Sequence, residues 1–239
     1  MWRSLVAHLV WDQGVQGSNP CTPTNFRKGI MSINIFGLFP TPVLESNLER
    51  DLTNNELAFV NLLKQDTRLN HGGGNSASVS KYVLNSPELA DLRMFIQHSL
   101  DSYIDNVLHP ENEFKLHITQ SWINWTDKGQ GHHKHYHRNS FLSGVFYINA
   151  DGENDKLNFA NETTAQFVDV AVNSKNFNIF NANKWWVPAS TGKLYIFPSS
   201  TRHFVDPVIT DDTRISLAFN TWFSGKLGNE DELTLLTTN

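Results

Sequence analysis

The 239-residue chain has a single cysteine, Cys21. No disulfide can close within it, and a cysteine-ligated zinc or iron–sulfur centre is excluded. Charge is sparse. Asp, Glu, Lys and Arg make up 18% of the residues, against roughly 25% in an average soluble protein. There is no Lys/Arg block, and the formal net charge is −5. Both facts argue against nucleic acid or an anionic membrane surface as a partner. No apolar run approaches the roughly 18 residues of a membrane-spanning helix. The chain is instead rich in rings, with 16 Phe, seven Trp and ten His. That aromatic load argues against disorder, and the length is enough for one domain with a sizeable core.

Residues 1–30 differ from the rest. The string Gly14-Val15-Gln16-Gly17-Ser18-Asn19-Pro20 resembles the conceptual translation of a transfer-RNA gene end. The expectation is a spurious or disordered extension over 1–30, a natural start at Met31, and a single domain over 31–239. With no targeting segment in that domain, a cytoplasmic protein of a host cell or virus is expected.

The stretch from Met31 to Leu48, with Pro40 and Pro42, predicts an edge strand and a turn, since proline cannot donate to a ladder. Thr53-Asn54-Asn55-Glu56 is a capping box, and Leu57, Val60 and Leu63 continue at helical spacing to about Asp66. Gly72-Gly73-Gly74 and the serines that follow predict a flexible surface loop. Ser86-Pro87 opens a second helix whose apolar face runs from Leu89 to Val107. From Phe114 onward the period shifts to two. Short strands are expected near 114–118, 122–125, 142–148, 156–159, 193–197, 203–208 and 214–223. Two helices followed by many strands predict a mainly β fold, a sandwich or barrel with packed helices.

Four histidines crowd one short stretch: His132, His133, His135 and His137. In His135-Tyr136-His137 the two imidazoles are two residues apart, so on an extended chain they share a side and can reach one metal. His133-Lys134-His135 has the same spacing. Imidazole suits iron, zinc, copper and nickel alike. Further on, His203 opens a short strand and is a possible third ligand. Arg214 stands in the largely apolar strand Arg214-Ile215-Ser216-Leu217-Ala218-Phe219, where it is placed to clamp a carboxylate, with the Ser216 hydroxyl on the same side.

With these pieces in order, the chain resembles the iron(II)/2-oxoglutarate-dependent oxygenase superfamily. It is most similar to the bacterial and phage branch related to the prolyl hydroxylases. The ordered set is Phe39 to Pro42, Ser121-Trp122-Ile123-Asn124, the His-x-His before Ser143-Gly144-Val145-Phe146-Tyr147-Ile148, the Phe197-Pro198-Ser199 strand, His203, and Arg214-x-Ser216 with Phe219-Asn220. The resemblance implies a double-stranded β-helix, a distorted, cupin-like jelly roll. It implies iron(II), O2 and the cosubstrate 2-oxoglutarate. His135, His137 and His203 match the metal ligands. Arg214, Ser216, Tyr147 and Asn124 match cosubstrate positions, and Trp122 a substrate position. No catalytic residue apart from the metal centre is implied. The implied reaction hydroxylates an unactivated C–H bond of a small molecule or of a protein or peptide, prolyl or another amino-acid side chain included, with release of succinate and CO2. One position departs from the usual two-histidine, one-carboxylate pattern: His137 stands where an Asp is expected. Two other readings compete, a three-histidine cupin-like enzyme without 2-oxoglutarate and a non-catalytic binding module on the same fold.

Overall fold

A computed structural model describes residues 24–26, 31–33, 35–70, 72, 74–161 and 171–238. The expected extension over 1–30 lies, but for 24–26, outside the described residues. The strands in chain order are β1 (Thr24–Phe26), β2 (Met31–Ile33), β3 (Leu44–Asn47), β4 (Thr67–Leu69), β5 (Ser76–Ser78), β6 (Phe114–Thr126) and β7 (His132–His135). They continue with β8 (Leu142–Asn149), β9 (Lys156–Ala160), β10 (Lys184–Pro188), β11 (Lys193–Pro198), β12 (Arg202–Val205), β13 (Arg214–Leu227) and β14 (Leu236–Thr238). The helices are α1 (Asn54–Leu63) and α2 (Ala90–Tyr103). No helix among the described residues is long and apolar enough to cross a membrane.

The chain divides into two units. The smaller comprises residues 1–40 and 161–183. In it β1 and β2 form an antiparallel pair, and Asn173 caps a short 3-10 turn by accepting from the Lys175 N–H. The larger comprises residues 41–160 and 184–239 and holds two antiparallel sheets. Its major sheet runs β3-β11-β8-β13-β6-β5-β4, with β14 added to β13. Its minor sheet runs β10-β9-β12-β7. This is the double-stranded β-helix, with helices packed on one face.

Local chemistry accounts for these elements. Thr53 caps α1: its hydroxyl accepts from the Glu56 N–H at 3.2 Å, and Glu56 accepts from the Thr53 N–H at 2.7 Å. Ser86-Pro87 starts with a 3-10 turn before α2, because proline fits the first helical position. Leu92, Ile96 and Leu100 of α2 are fully buried in a cluster with Ile123, Trp125, Phe146, Ile196, Leu217 and Phe219 from the major sheet. Gly144 has no side chain because the Phe219 ring occupies that space. As expected, β3 is an edge strand, pairing among the described residues only with β11.

Three local expectations change. The two short strands expected at 114–118 and 122–125 are one long strand, β6, because β13 pairs with it along nearly its whole length. The loop after the glycine run contains β5, paired to β6. Nor are the glycines a plain linker: Gly74 takes φ +79 and bridges to Gly131, and a Cβ on Gly72 would collide with the His133 ring. Finally, no strand is expected between 159 and 193, yet β10 lies there, paired to β9.

Candidate functional site

Strand alternation sorts the side chains of β6 and β13. Ile123 and Trp125 point into the apolar cluster, as do Leu217 and Phe219. Trp122, Asn124 and Thr126 face the other way, with Arg214, Ser216 and Asn220 beside them, onto a cavity of about 440 Å³. The register sets Arg214 opposite Thr126 and Ser216 opposite Asn124. Tyr147 of β8 stands opposite Ser216 on the other side. From the minor sheet, β12 brings His203 directly opposite His135 of β7.

Four imidazoles line this cavity, those of His132, His135, His137 and His203, and the last three converge. His135, His137 and His203 offer one ligand atom each, all within 4.8 Å of one another. Their ring centroids are 4.3 Å apart for His135 and His203, 5.0 Å for His135 and His137, and 5.2 Å for His137 and His203. His135 Nδ1 lies 2.8 Å from the His133 carbonyl oxygen, and His203 Nδ1 lies 3.0 Å from that of Thr201. A carbonyl oxygen only accepts, so both Nδ1 atoms carry the proton and both Nε2 atoms keep a lone pair. Tethering one ring nitrogen to a carbonyl is how metal-binding histidines are commonly oriented. Burial, followed by the neighbouring His135, pushes His203 down to about 3 and His137 down to about 4. Burial also lowers His135. All three rings are neutral at neutral pH and available as donors. The chemistry of this donor set fits a divalent transition metal.

His137 lies just beyond β7, and its place is fixed by a small hydroxyl network. Its N–H donates to the Ser199 carbonyl at 3.0 Å. The Ser199 hydroxyl donates to Ser140 Oγ at 2.7 Å and pairs with Ser143 Oγ at 2.8 Å. Ser143 in turn donates to Asn220 Oδ1 at 2.9 Å. The sequence marks these residues only as parts of motifs; their common task emerges from the fold.

At the other side of the cavity is Arg214, 3% exposed. Its Nη2 donates to the Tyr147 hydroxyl at 3.2 Å, and its Nε is buried without a hydrogen-bond partner. Among the described residues, no Asp or Glu lines the cavity. A buried guanidinium with an unpaired N–H facing a cavity without a lining carboxylate suits an anionic ligand, which it can hold with two parallel bonds. Tyr147 is fully buried, and burial raises its hydroxyl above the ordinary range, so it is a neutral donor.

Other candidates separate. Trp122, the expected substrate position, lines the cavity, 5.8 Å from the His137 ring. Trp125 is in the apolar cluster, and Trp185 and Trp186 of β10 are not among the lining residues. The alternative spacing is also populated: His132, His133 and His135 form a second possible ligand group, with His133 exposed. Both groups use His135. Sequence reasoning missed Lys81, Asn70 and Asn75 on the cavity wall, since no motif surrounds them.

Residues 120–220, from β6 to β13, match a family model described as "Putative 2OG-Fe(II) oxygenase". Over its site-bearing segment the chain resembles the 2OG-Fe(II) oxygenases. Solved structures agree on the fold. The epimerase SnoN, in complex with Fe3+, alpha ketoglutarate and nogalamycin RO, aligns with a TM-score of 0.53 at 10% identity, over 77% of this chain and 81% of that one. A prolyl hydroxylase from Trichoplax adhaerens, in complex with a hypoxia inducible factor peptide fragment, aligns with a TM-score of 0.50 at 13% identity, over 76% and 82%. No curated protein matches the sequence. Every candidate metal and cosubstrate residue of the 2OG oxygenase resemblance falls inside the matched segment.

Proposed function

We propose that the chain is an iron(II)- and 2-oxoglutarate-dependent dioxygenase that hydroxylates an unactivated C–H bond, with His135, His137 and His203 as metal ligands. The observation that carries this reading is one cavity holding both halves of the required chemistry, three neutral imidazoles and a buried, incompletely paired Arg214. Iron(II), 2-oxoglutarate and O2 would supply the oxidising power, one oxygen atom leaving in succinate with CO2 and the other entering the substrate. The protein orients and shields. Arg214 and Tyr147 hold the far carboxylate of the cosubstrate, with Ser216 and Asn124 beside them. The aromatic walls, Phe197 and Trp122 among them, exclude water from the reacting centre. A small molecule or a peptide side chain, prolyl included, is the substrate, and the enzyme works in the cytoplasm.

The third imidazole has an electrostatic consequence. Three neutral ligands leave the full dipositive charge on a bound metal, one unit more than the usual set with a carboxylate. That strengthens the hold on a dianionic cosubstrate.

The test is anaerobic visible absorption on adding iron(II) and then 2-oxoglutarate. A weak charge-transfer band is expected in the wild type, absent in His203→Ala and weakened in Arg214→Ala. Stoichiometric metal binding with no band would favour a three-histidine enzyme that does not use 2-oxoglutarate.

A further inference from the structure

The proposed chemistry uses every charged group on the cavity wall except one. Lys81 lines the cavity together with Gln120, Trp122 and Asn124. Its position is set by the backbone: its carbonyl accepts from the Ser121 N–H at 2.7 Å, and the next residue, Tyr82, bridges to Ser121. The Nζ donates to the Ser78 carbonyl at 2.7 Å, which occupies one of its three donors. No ion pair to Lys81 occurs among the described residues. Burial and then the charge of Arg68 both lower its pKa, so its surroundings supply no compensating anion.

The charge balance of the whole cavity points the same way. Among the described residues, Lys81 and Arg214 are its only Lys or Arg, and no Asp or Glu lines it. The dianionic cosubstrate balances a dipositive metal, or shares its charge with Arg214. In either case positive charge is left over, and beside the buried Arg214 that imbalance is more costly than it is in bulk water. A neutral substrate would leave it standing.

We propose that the substrate carries a carboxylate and that Lys81 receives it, which makes Lys81 a specificity residue at the mouth beside Trp122. The Gln120 amide on the same wall is placed to bond the polar atoms around that carboxylate. This rests on the 2-oxoglutarate reading of the site, because that reading assigns Arg214 to the cosubstrate.

The experiment compares matched probes on nickel-loaded full-length protein with 2-oxoglutarate present, so that no turnover occurs. The probes are the N-acetyl forms of L-proline, L-leucine and L-phenylalanine, each as free carboxylate and as primary amide, with inorganic phosphate as a separate arm. Binding is read by calorimetry. At least one carboxylate is expected to bind about tenfold or more tightly than its amide, since a bond to a charged group is being exchanged for a neutral one. In Lys81→Met that gap should close while affinity for 2-oxoglutarate and the melting temperature stay as in the wild type. Equal binding of the two members of every pair, no binding of either, or a gap that survives Lys81→Met overturns the proposal. So does a gap lost only in Arg214→Met, which would mean that the probes occupy the cosubstrate position. Phosphate binding as well as the best carboxylate would replace the carboxylate assignment with a general oxyanion site. Failure of 2-oxoglutarate itself to bind would sink the proposed function instead, and the same pairs titrated into protein holding nickel alone would still judge Lys81.

Discussion

The two faces of β6 and β13 are made from the same strands and the same ladder, yet they do opposite work. On the helix side, Ile123, Trp125, Leu217 and Phe219 are buried almost completely against apolar neighbours. Each such side chain contributes about 1.5–3 kcal/mol by leaving water. On the cavity side, Asn124, Thr126, Arg214, Ser216 and Asn220 are buried nearly as deeply. There burial works against stability unless each polar group finds a partner. Trp125 Nε1 shows that the apolar face is not perfectly satisfied either, but a lone indole N–H is a small cost beside an incompletely paired guanidinium. The lesson is that one face stabilises the fold and the other spends some of that stability on the polar lining that the proposed site uses.

Substitutions on the two faces should therefore separate stability from function, and they can be ranked. The largest effect is expected from His203→Ala. Losing a ligand should weaken metal binding by more than the roughly 10–100-fold typical of losing a second-layer partner, with little change in melting temperature of the metal-free protein. Metal titration followed by thermal unfolding checks both halves; a large drop in metal-free stability would erase the division of labour. Next is Phe219→Ala on the opposite face. It should cost about 3–5 kcal/mol of folding stability, measured by denaturant unfolding, while the surviving folded fraction binds 2-oxoglutarate as the wild type does.

Arg214→Met sharpens the contrast further. Affinity for 2-oxoglutarate should fall by at least about 2 kcal/mol, the lower end for truncating a buried charge partner. Stability without ligand should hold or rise, because an incompletely paired buried charge is removed. A loss of stability would show that Arg214 serves the fold as well. The smallest effect is expected at Glu56, buried at the start of α1 and bonded by Arg50 at 2.7 and 2.8 Å. The Arg50 hydrogen bond holds the Glu56 carboxyl below its ordinary value. Its contribution is thus complete above the unfolded carboxylate value and is lost as pH falls through the lower folded one. Glu56→Gln should cost about 1 kcal/mol at neutral pH, as capping changes do, and the difference from wild type should shrink in acid.

Much of the candidate site was legible in the sequence, because its parts lie in chemically unusual places. Histidines at alternate positions, an arginine in an apolar strand and a serine two residues on each break the pattern of an ordinary core, and the cavity contains all of them. The capping box at Thr53 and the edge position of β3 were equally local and needed nothing distant. Lys81 and Asn75 were invisible for the opposite reason. They sit in ordinary polar sequence and reach the cavity only because β5 and the turn after it lie against β6.

The sequence by itself determined the alternation of β6 and β13 and the candidate residues for a metal and an anion, since both follow from side-chain type and spacing. The tertiary structure decided the rest. It set His203 opposite His135 across two strands far apart in the chain, tied both Nδ1 atoms to carbonyls, and turned Trp122 to the cavity while Trp125 joined the core. Strand pairing between distant segments fixes register, and register fixes which side chains meet, so none of this can be read from one stretch of sequence alone.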